Sequence, residues 1–472
     1  METHTELAVI GGGPGGYAAA FYAADLGMQV TIIDAAPKLG GVCLWSGCIP
    51  SKTYLHVARI MREAGDAAEF GLRYQPPAID LAALRNWKDR VLNREGDGLA
   101  LLAKYRKVRV ISGQARFIDA TTLGFQTASG AEERLTFDYA ILATGSRPVR
   151  PRTLAIESSR VWDSTAGLML PEVPRRLLIV GGGYIGLELG TVYAALGSQI
   201  TIVEMSGTVL PIADADLVKI LVKRLGSIFH EVRLNTTVTA LEEAPSGIIA
   251  KLQTGDRSEA VEFDQVLIAV GRAPNSEVAG LSDIGVAVDA KGFVVVNGAR
   301  RTSCPNVFAI GDVTGEPMLA HKASHEARTA VDAIRGGSAV FEPKAIPAVV
   351  FTDPEIAWCG LTEASADRDG RQVKVARFPW AALGRASLMN RMDGMTKLVV
   401  DPSSESIVGV GIVGVNAGDL ISEGALAIES GRRASDLGMT IHPHPTLSEA
   451  TMEAADSYFG YSTSIFKPIR RD

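Results

Sequence analysis

Short apolar runs punctuated by glycine recur along the chain. Leu7-Ala-Val-Ile10 runs into Gly11-Gly-Gly-Pro-Gly-Gly16, an alanine-rich helical stretch follows, and Val30-Thr-Ile-Ile-Asp34 closes the segment. The same order returns as Leu177-Leu-Ile-Val180, Gly181-Gly-Gly-Tyr-Ile-Gly186, a helical stretch and Ile200-Thr-Ile-Val-Glu204. Each copy predicts strand, glycine turn, helix and a second strand ending in an acid, which is a βαβ unit, and such units build parallel sheets. Further strands ending in glycine are predicted at Tyr139 to Gly145, Val266 to Gly271 and Asn306 to Asp312. From about residue 346 the texture changes. Lys397 to Val400 and Ile407 to Val415 alternate with helical stretches and predict an α+β unit.

Length and composition narrow the class. A chain of 472 residues suggests roughly three domains. With 47% hydrophobic and 21% charged residues it can bury large cores, and its 49 glycines fit many tight turns. The net charge of -6 offers no basic footprint for nucleic acid. No apolar run reaches the roughly 18 residues that span a bilayer. The start, Met1 to Glu6, has neither a basic segment nor an apolar core, so no leader is expected. Four cysteines in this length do not make a disulfide-stapled secreted scaffold, and a cytoplasmic location is expected.

Both glycine loops follow a strand, open a helix and precede an acid by a fixed interval: Asp34 lies 18 residues beyond Gly16, and Glu204 lies 18 beyond Gly186. In such a loop the first glycine (Gly11, Gly181) permits the turn. The second (Gly13, Gly183) lets backbone approach a pyrophosphate. The third (Gly16, Gly186) lets helix and strand pack. Phosphates then meet free N–H groups at the helix N-terminus. Asp34 and Glu204 would bond ribose hydroxyls. An acid repels a 2′-phosphate and Met205 to Leu210 holds no Arg or Lys, which favours NAD over NADP. Two such sites imply an electron relay, with the flavin expected at the first.

The first unit leads into Gly40-Gly-Val-Cys43-Leu-Trp-Ser-Gly-Cys48-Ile-Pro-Ser-Lys52. Cysteines five apart on an ideal helix point about 140° from each other, so bridging them needs a distorted turn, which Gly47 and Pro50 could provide. The spacing alone leaves four fates: redox disulfide, two free thiols, metal ligands or a permanent bridge. A neighbouring nucleotide unit favours the redox pair, since a strained disulfide is readily reduced. Cys304 and Cys359, in apolar strand contexts, are expected in the core.

Together these motifs resemble the pyridine nucleotide–disulfide oxidoreductases, and within that family the members that oxidise dihydrolipoamide. Further matches are Val270-Gly-Arg-Ala-Pro-Asn275, Ala309-Ile-Gly-Asp312, Met318-Leu-Ala-His-Lys322, Phe378-Pro-Trp380 and His442-Pro-His-Pro-Thr-Leu-Ser-Glu449, so the likeness covers nearly the whole chain. It implies an α/β fold of two Rossmann-like domains, for FAD and NAD, plus a C-terminal α+β dimerisation domain. The expected division is 1–148 for FAD, 149–273 for NAD, 274–345 completing the FAD site and 346–472 for the interface. It also implies roles: Cys48 against the flavin as the charge-transfer thiolate, Cys43 as the exchange thiol, Lys52 near flavin N5 with Glu188 beside it. Asp312 would bind the ribityl chain. Ala320 would contact the flavin through its backbone, and Ala115, Thr144 and Gly145 would complete that site. Tyr184 would cover the nicotinamide pocket, and Glu204, Val238 and Gly271 would line the NAD site. The sequence departs from the family pattern at Asp34, Val42, Trp45, Ser46 and Ala115, and no departure removes a reacting group.

Thiol exchange needs a thiolate, and a histidine held by a carboxylate can take and return its proton. The resemblance gives that task to His444 with Glu449 orienting it, supplied by the partner subunit of a homodimer; His442 is expected to be structural. The implied activity is oxidation of dihydrolipoamide on the lipoyl domain of an acyltransferase or carrier protein, reducing NAD+ in a 2-oxoacid dehydrogenase or glycine cleavage complex. The rivals are a related reductase for another disulfide and a non-catalytic NADH-binding subunit. No metal, nucleic acid or membrane partner is expected.

Overall fold

The computed structural model describes residues 2–126 and 130–465. Its first sheet is built around β1 (Glu2–Ile10) and β2 (Val30–Asp34), parallel neighbours joined by helix α1 (Pro14–Asp25). The cysteine-bearing helices α2 (Gly41–Ser46) and α3 (Cys48–Asp66) follow, then the long α4 (Leu81–Tyr105). Strand β3 (Arg109–Ser112) joins the free edge of β2. The hairpin β4 (Gln114–Asp119) and β5 (Thr122–Gln126) pairs antiparallel with the first half of β6 (Glu132–Leu142). The second half of β6 pairs with Val307–Ala309, which returns from much later in the chain. Strand β2 is buried along almost its whole length, because α1 covers one face of the sheet and the β4–β5 hairpin and the 278–296 segment cover the other.

The second βαβ unit forms a separate five-stranded parallel sheet, in the order Glu231–Arg233, Gln199–Val203, Arg176–Val180, Gln265–Ile268 and Val161–Asp163. A three-stranded antiparallel sheet (Thr236–Ala244, Gly247–Thr254, Arg257–Phe263) covers one of its faces. The chain crosses between the two units twice, and the crossings pair antiparallel as Ser146–Pro148 with Arg272–Pro274. The C-terminal part is a five-stranded antiparallel sheet backed by helices Ala417–Glu429 and Glu449–Phe459. The α/β architecture with two dinucleotide units and an α+β C-terminal part is as expected from sequence.

The parts meet through polar contacts as well as apolar ones. The Lys397 ammonium, 1% exposed, lies 2.6 Å from Asp214, 2.8 Å from Asp216 and 2.7 Å from Glu363. The cluster ties the second unit to the C-terminal sheet. Cys359 lies in a strand of that sheet with 1% exposure. Cys304 is also buried, but in the bend before Val307–Ala309 and not in a strand. Among the described residues no helix is long and apolar enough to cross a membrane.

Candidate active site

The two glycine loops are near copies. Gly11 has φ +106° and Gly181 φ +109°; a Cβ would come 2.3 Å from the Ala143 carbonyl oxygen at the first and 2.5 Å from that of Ala269 at the second. A Cβ on Gly16 would sit 1.9 Å from the Gly11 oxygen, and on Gly186 2.2 Å from the Gly181 oxygen, so both third glycines serve packing. A Cβ on Gly13 would meet only Gly41 Cα at 3.8 Å, and on Gly183 nothing within 4 Å. These second glycines are open, and each caps its helix without a side-chain hydrogen bond, leaving the first N–H groups for an anion. Asp34 accepts the Gly12 N–H and, at 2.7 Å, the Ala36 N–H. Glu204 accepts the Gly182 and Ser206 N–H groups, both at 2.8 Å. Each acid therefore also closes its own turn, a structural role added to the expected ribose contact.

A cavity of about 940 Å³ opens from the first loop. Gly11, Gly13, Asp34, Ala115, Thr144, Gly145, Asp312 and Ala320 line it, with Cys43, Cys48, Lys52, Tyr184 and Glu188 where it reaches the second unit. Gly181, Gly183, Gly186, Glu204, Val238 and Gly271 lie outside it, around the second loop. Val238 is 5% exposed with its side chain in the core, which leaves only its main chain to face a ligand. Opposite the first loop, the Arg272 guanidinium donates to the Ser146 hydroxyl at 2.8 Å, and that hydroxyl donates to Asp312. Thr144 and Asn275 exchange two hydrogen bonds of 2.7 and 2.9 Å. Ala320 is the first residue of the helix Ala320–Ile334, whose N-terminus faces the cavity. Burial pushes the Tyr184 phenol up to about 12.

The cysteine-bearing helices show how cysteines five apart come together. Helix α2 ends at Ser46 and α3 begins at Cys48; the break is Gly47, at φ -143° and ψ -113°. A Cβ there would lie 2.8 Å from the Val42 oxygen. Pro50 contributes no distortion, contrary to expectation. It sits in the first turn of α3, where the missing N–H has no helical acceptor. The cysteines are unbonded, with Cys43 hydrogen-bonded to Cys48. That bond, reinforced by burial, pushes the Cys43 thiol up. The same bond, with the Lys52 ammonium, lowers Cys48 to about 7 against the opposing effect of burial. The two sulfurs are thus electrostatically unequal, and Cys48 carries the charge. Lys52, one turn along α3, pairs with Glu188 at 2.7 Å and lies 4.6 Å from the Phe351 ring centre. The other Glu188 oxygen accepts the Phe351 N–H at 3.1 Å.

His444 and Glu449 meet as expected, at 2.8 Å, but outside the cavity wall. The Glu449 carboxylate also accepts the Thr446 N–H at 2.8 Å. Burial opposes its charge, yet this N–H and His444 hold it below the usual carboxylate range. The His444 ring is 79% exposed and absent from the cavity wall, so one chain does not bring it to the cysteines. His442 is anchored at 2.8 Å to Glu423 and at 2.8 Å to the Thr440 carbonyl oxygen, a structural environment.

Residues 5–327 match the model of the pyridine nucleotide-disulphide oxidoreductases, and residues 346–455 match the dimerisation domain of that family. The chain belongs to this family. Its similar relatives include the dihydrolipoyl dehydrogenases of Vibrio cholerae, 45% identical over 98% of both chains, and of Geobacillus stearothermophilus, 43% identical over 97% of this chain and 96% of that one. Among solved structures, LpdA from Mycobacterium tuberculosis superposes with a TM-score of 0.89 at 26% identity, covering 96% of this chain and 99% of that one. The HOCl-induced flavoprotein disulfide reductase RclA from Escherichia coli does so at 0.85 and 28%, covering 97% and 99%.

This family member is an FAD-dependent, NAD-linked oxidoreductase, and its residues fit both nucleotides. The open second glycines, the uncapped helices and the acids at the strand ends form two cradles, and the cavity joins the first cradle to the cysteines. Three contributors had escaped the sequence. Arg272 and Asn275 stand in a matched motif, Gly-Arg-Ala-Pro-Asn, that offered a signal without a role. Phe351 carried no signal, since its part is played by an N–H and a ring face.

Proposed function

We propose that this chain is a dihydrolipoyl dehydrogenase, which oxidises lipoyl-bound dithiol through Cys43 and Cys48 and reduces NAD+. Identity of 45% across nearly the whole length to enzymes of that name supports it, as does the unequal thiol pair beside Lys52 and Glu188. The division into 1–148, 149–273, 274–345 and 346–472 belongs to the same proposal, as do the homodimer, the lipoyl-domain partner and a cytoplasmic location.

In the oxidised enzyme Cys43 and Cys48 share a disulfide. Dihydrolipoamide gives one proton to the partner subunit's His444, which Glu449 orients and whose positive charge it stabilises. The substrate thiolate attacks Cys43 Sγ, the Cys43–Cys48 bond breaks, and Cys48 leaves as the thiolate that the Lys52 ammonium favours. The second substrate thiol, its proton passing to the departing Cys43 sulfur, attacks the lipoyl sulfur of the mixed disulfide. Lipoamide closes and Cys43 departs as a thiol. When bound, FAD supplies two-electron transfer between the reduced pair and NAD+. Asp312, Thr144 and the N-terminus of Ala320–Ile334 would hold its flavin half, and Gly13 with Asp34 its pyrophosphate and ribose. Gly183, Glu204 and the main chain at Val238 and Gly271 would hold NAD+. The purified protein is expected to be yellow and to reduce NAD+ with dihydrolipoamide. Absence of turnover with that dithiol, or preference for NADP+, would overturn the assignment.

A further inference from the structure

The turn that carries Asp312 stands on a buried ionic cluster with no contact to the cavity. The turn, Gly311–Thr314, is bounded by Gly311 at φ +78° and Gly315 at φ +132°, both in the range that glycine tolerates best. Beneath it lies Glu326, 0% exposed, on the helix Ala320–Ile334. One Glu326 oxygen accepts the Gly311 N–H at 2.6 Å. The other lies 3.0 Å from Arg300 and 3.2 Å from Lys322. Lys322, 6% exposed, donates in turn to the Gly315 carbonyl at 3.0 Å and reaches that of Gly311 at 3.4 Å.

Burying a carboxylate between two cations is a poor way to gain stability, because desolvation consumes most of the attraction. Apolar side chains of the same volume would fill the space. They could not grip an N–H and two carbonyls of a glycine-bounded turn. These bonds act on the main chain immediately beside Asp312, whose own carboxylate is aimed by Ser146 and Arg272. We infer that Glu326, with Lys322 and Arg300, is a positioning residue for the flavin: it fixes the Gly311–Gly315 turn so that Asp312 and the N-terminus at Ala320 meet FAD in binding geometry. Outer-layer groups that orient ligating ones commonly matter nearly as much as the ligating groups themselves.

This inference rests on the assignment of Asp312 to the flavin cavity, and the experiment separates the two. FAD release on dilution of the holoenzyme is followed by the fluorescence of free flavin for the parent, Asp312→Asn, Glu326→Gln and the double variant Lys322→Met/Glu326→Gln. The double variant preserves the net charge of the cluster while removing the carboxylate's charge and both Lys322 bonds to the turn carbonyls. Asp312→Asn is expected to weaken FAD binding; if it does not, the cavity assignment itself is wrong. Glu326→Gln and the double variant are each expected to raise the FAD dissociation constant about tenfold, the effect of losing charge-assisted buried hydrogen bonds. Far-ultraviolet dichroism and the KM for NAD+ should stay at parent values, which a general loss of packing would not leave untouched. If Glu326→Gln alone fails to fold, the double variant carries the test. An Asp312→Asn defect combined with parent-like FAD binding in folded Glu326 variants overturns the inference and leaves the cavity assignment standing.

Discussion

Cys48 shows how much of the chemistry resides in single residues. Its value of about 7 comes from a hydrogen bond donated by Cys43, with Lys52 one turn along the same helix adding to it. A thiol with a lowered value is thiolate above that value and protonated below it, so the charged form disappears as pH falls through 7. In the reduced enzyme, alkylation of Cys48 is therefore expected to switch on with a midpoint near pH 7. In Lys52→Met the midpoint should move upward, because a charge that favours the thiolate is lost. An unchanged midpoint would mean that Lys52 does not act on the sulfur. Cys43, pushed in the opposite direction, keeps its proton in the reduced pair and should react more slowly.

At the scale of elements, the departure at Trp45 finds its explanation in another helix. Trp45 lies in α2, between the two cysteines, and its ring seats on the bare backbone of Gly96 in α4; a Cβ on Gly96 would fall 2.6 Å from the indole. The indole N–H donates to the Leu39 carbonyl at 2.9 Å, and Lys38 lies 5.3 Å from a ring centre. A glycine inside a 25-residue helix normally costs about 1 kcal/mol relative to alanine. Here that preference should reverse. Gly96→Ala is expected to destabilise by about 1–3 kcal/mol through overpacking, and to raise the alkylation rate of Cys43 as α2 is displaced. Adding Trp45→Leu should restore most of the stability in chemical denaturation. A stabilising Gly96→Ala would show that the two helices do not interlock. Gly47 makes the complementary point: one non-helical residue between α2 and α3 brings two cysteines together that an unbroken helix would hold apart.

For the whole molecule the central observation is a separation. The cavity holds Cys43, Cys48, Lys52 and Glu188, while the exposed His444 and the largely buried Glu449 that holds it stand outside the cavity wall of the same chain. A two-fold dimer with sites built from both chains would reunite them, and mixed dimers test this. Cys48→Ser and His444→Ala are each expected to be nearly inactive alone. Heterodimers of the two contain one site with both defects and one with neither. Random reassortment should then recover about a quarter of parent activity, since half the dimers are mixed and half their sites intact. No recovery from verified mixed dimers would place His444 and the cysteines of one site in the same chain.

Much of this protein was legible in the sequence because local rules suffice for it. Two glycine loops with an acid at equal spacing require a βαβ turn whatever surrounds them, and the parallel strands, open second glycines and terminal acids were all where the pattern put them. The cysteines, Lys52 and the His444–Glu449 pair were likewise identifiable from motif and resemblance. Other features depended on distance along the chain. The grip of Phe351 on Glu188, the seat of Trp45 on Gly96 and the buried Glu326 beneath Asp312 join residues that are remote or bear no motif. Their meaning lies in a main-chain N–H, a missing Cβ or a local dielectric. The sequence by itself determined the two nucleotide-binding units and the motifs that carry the cysteine pair, Lys52 and the His444–Glu449 pair. Only the tertiary structure decided which groups share a cavity and which remote contacts hold them, because burial, hydrogen bonding and proximity exist only once separate segments pack together.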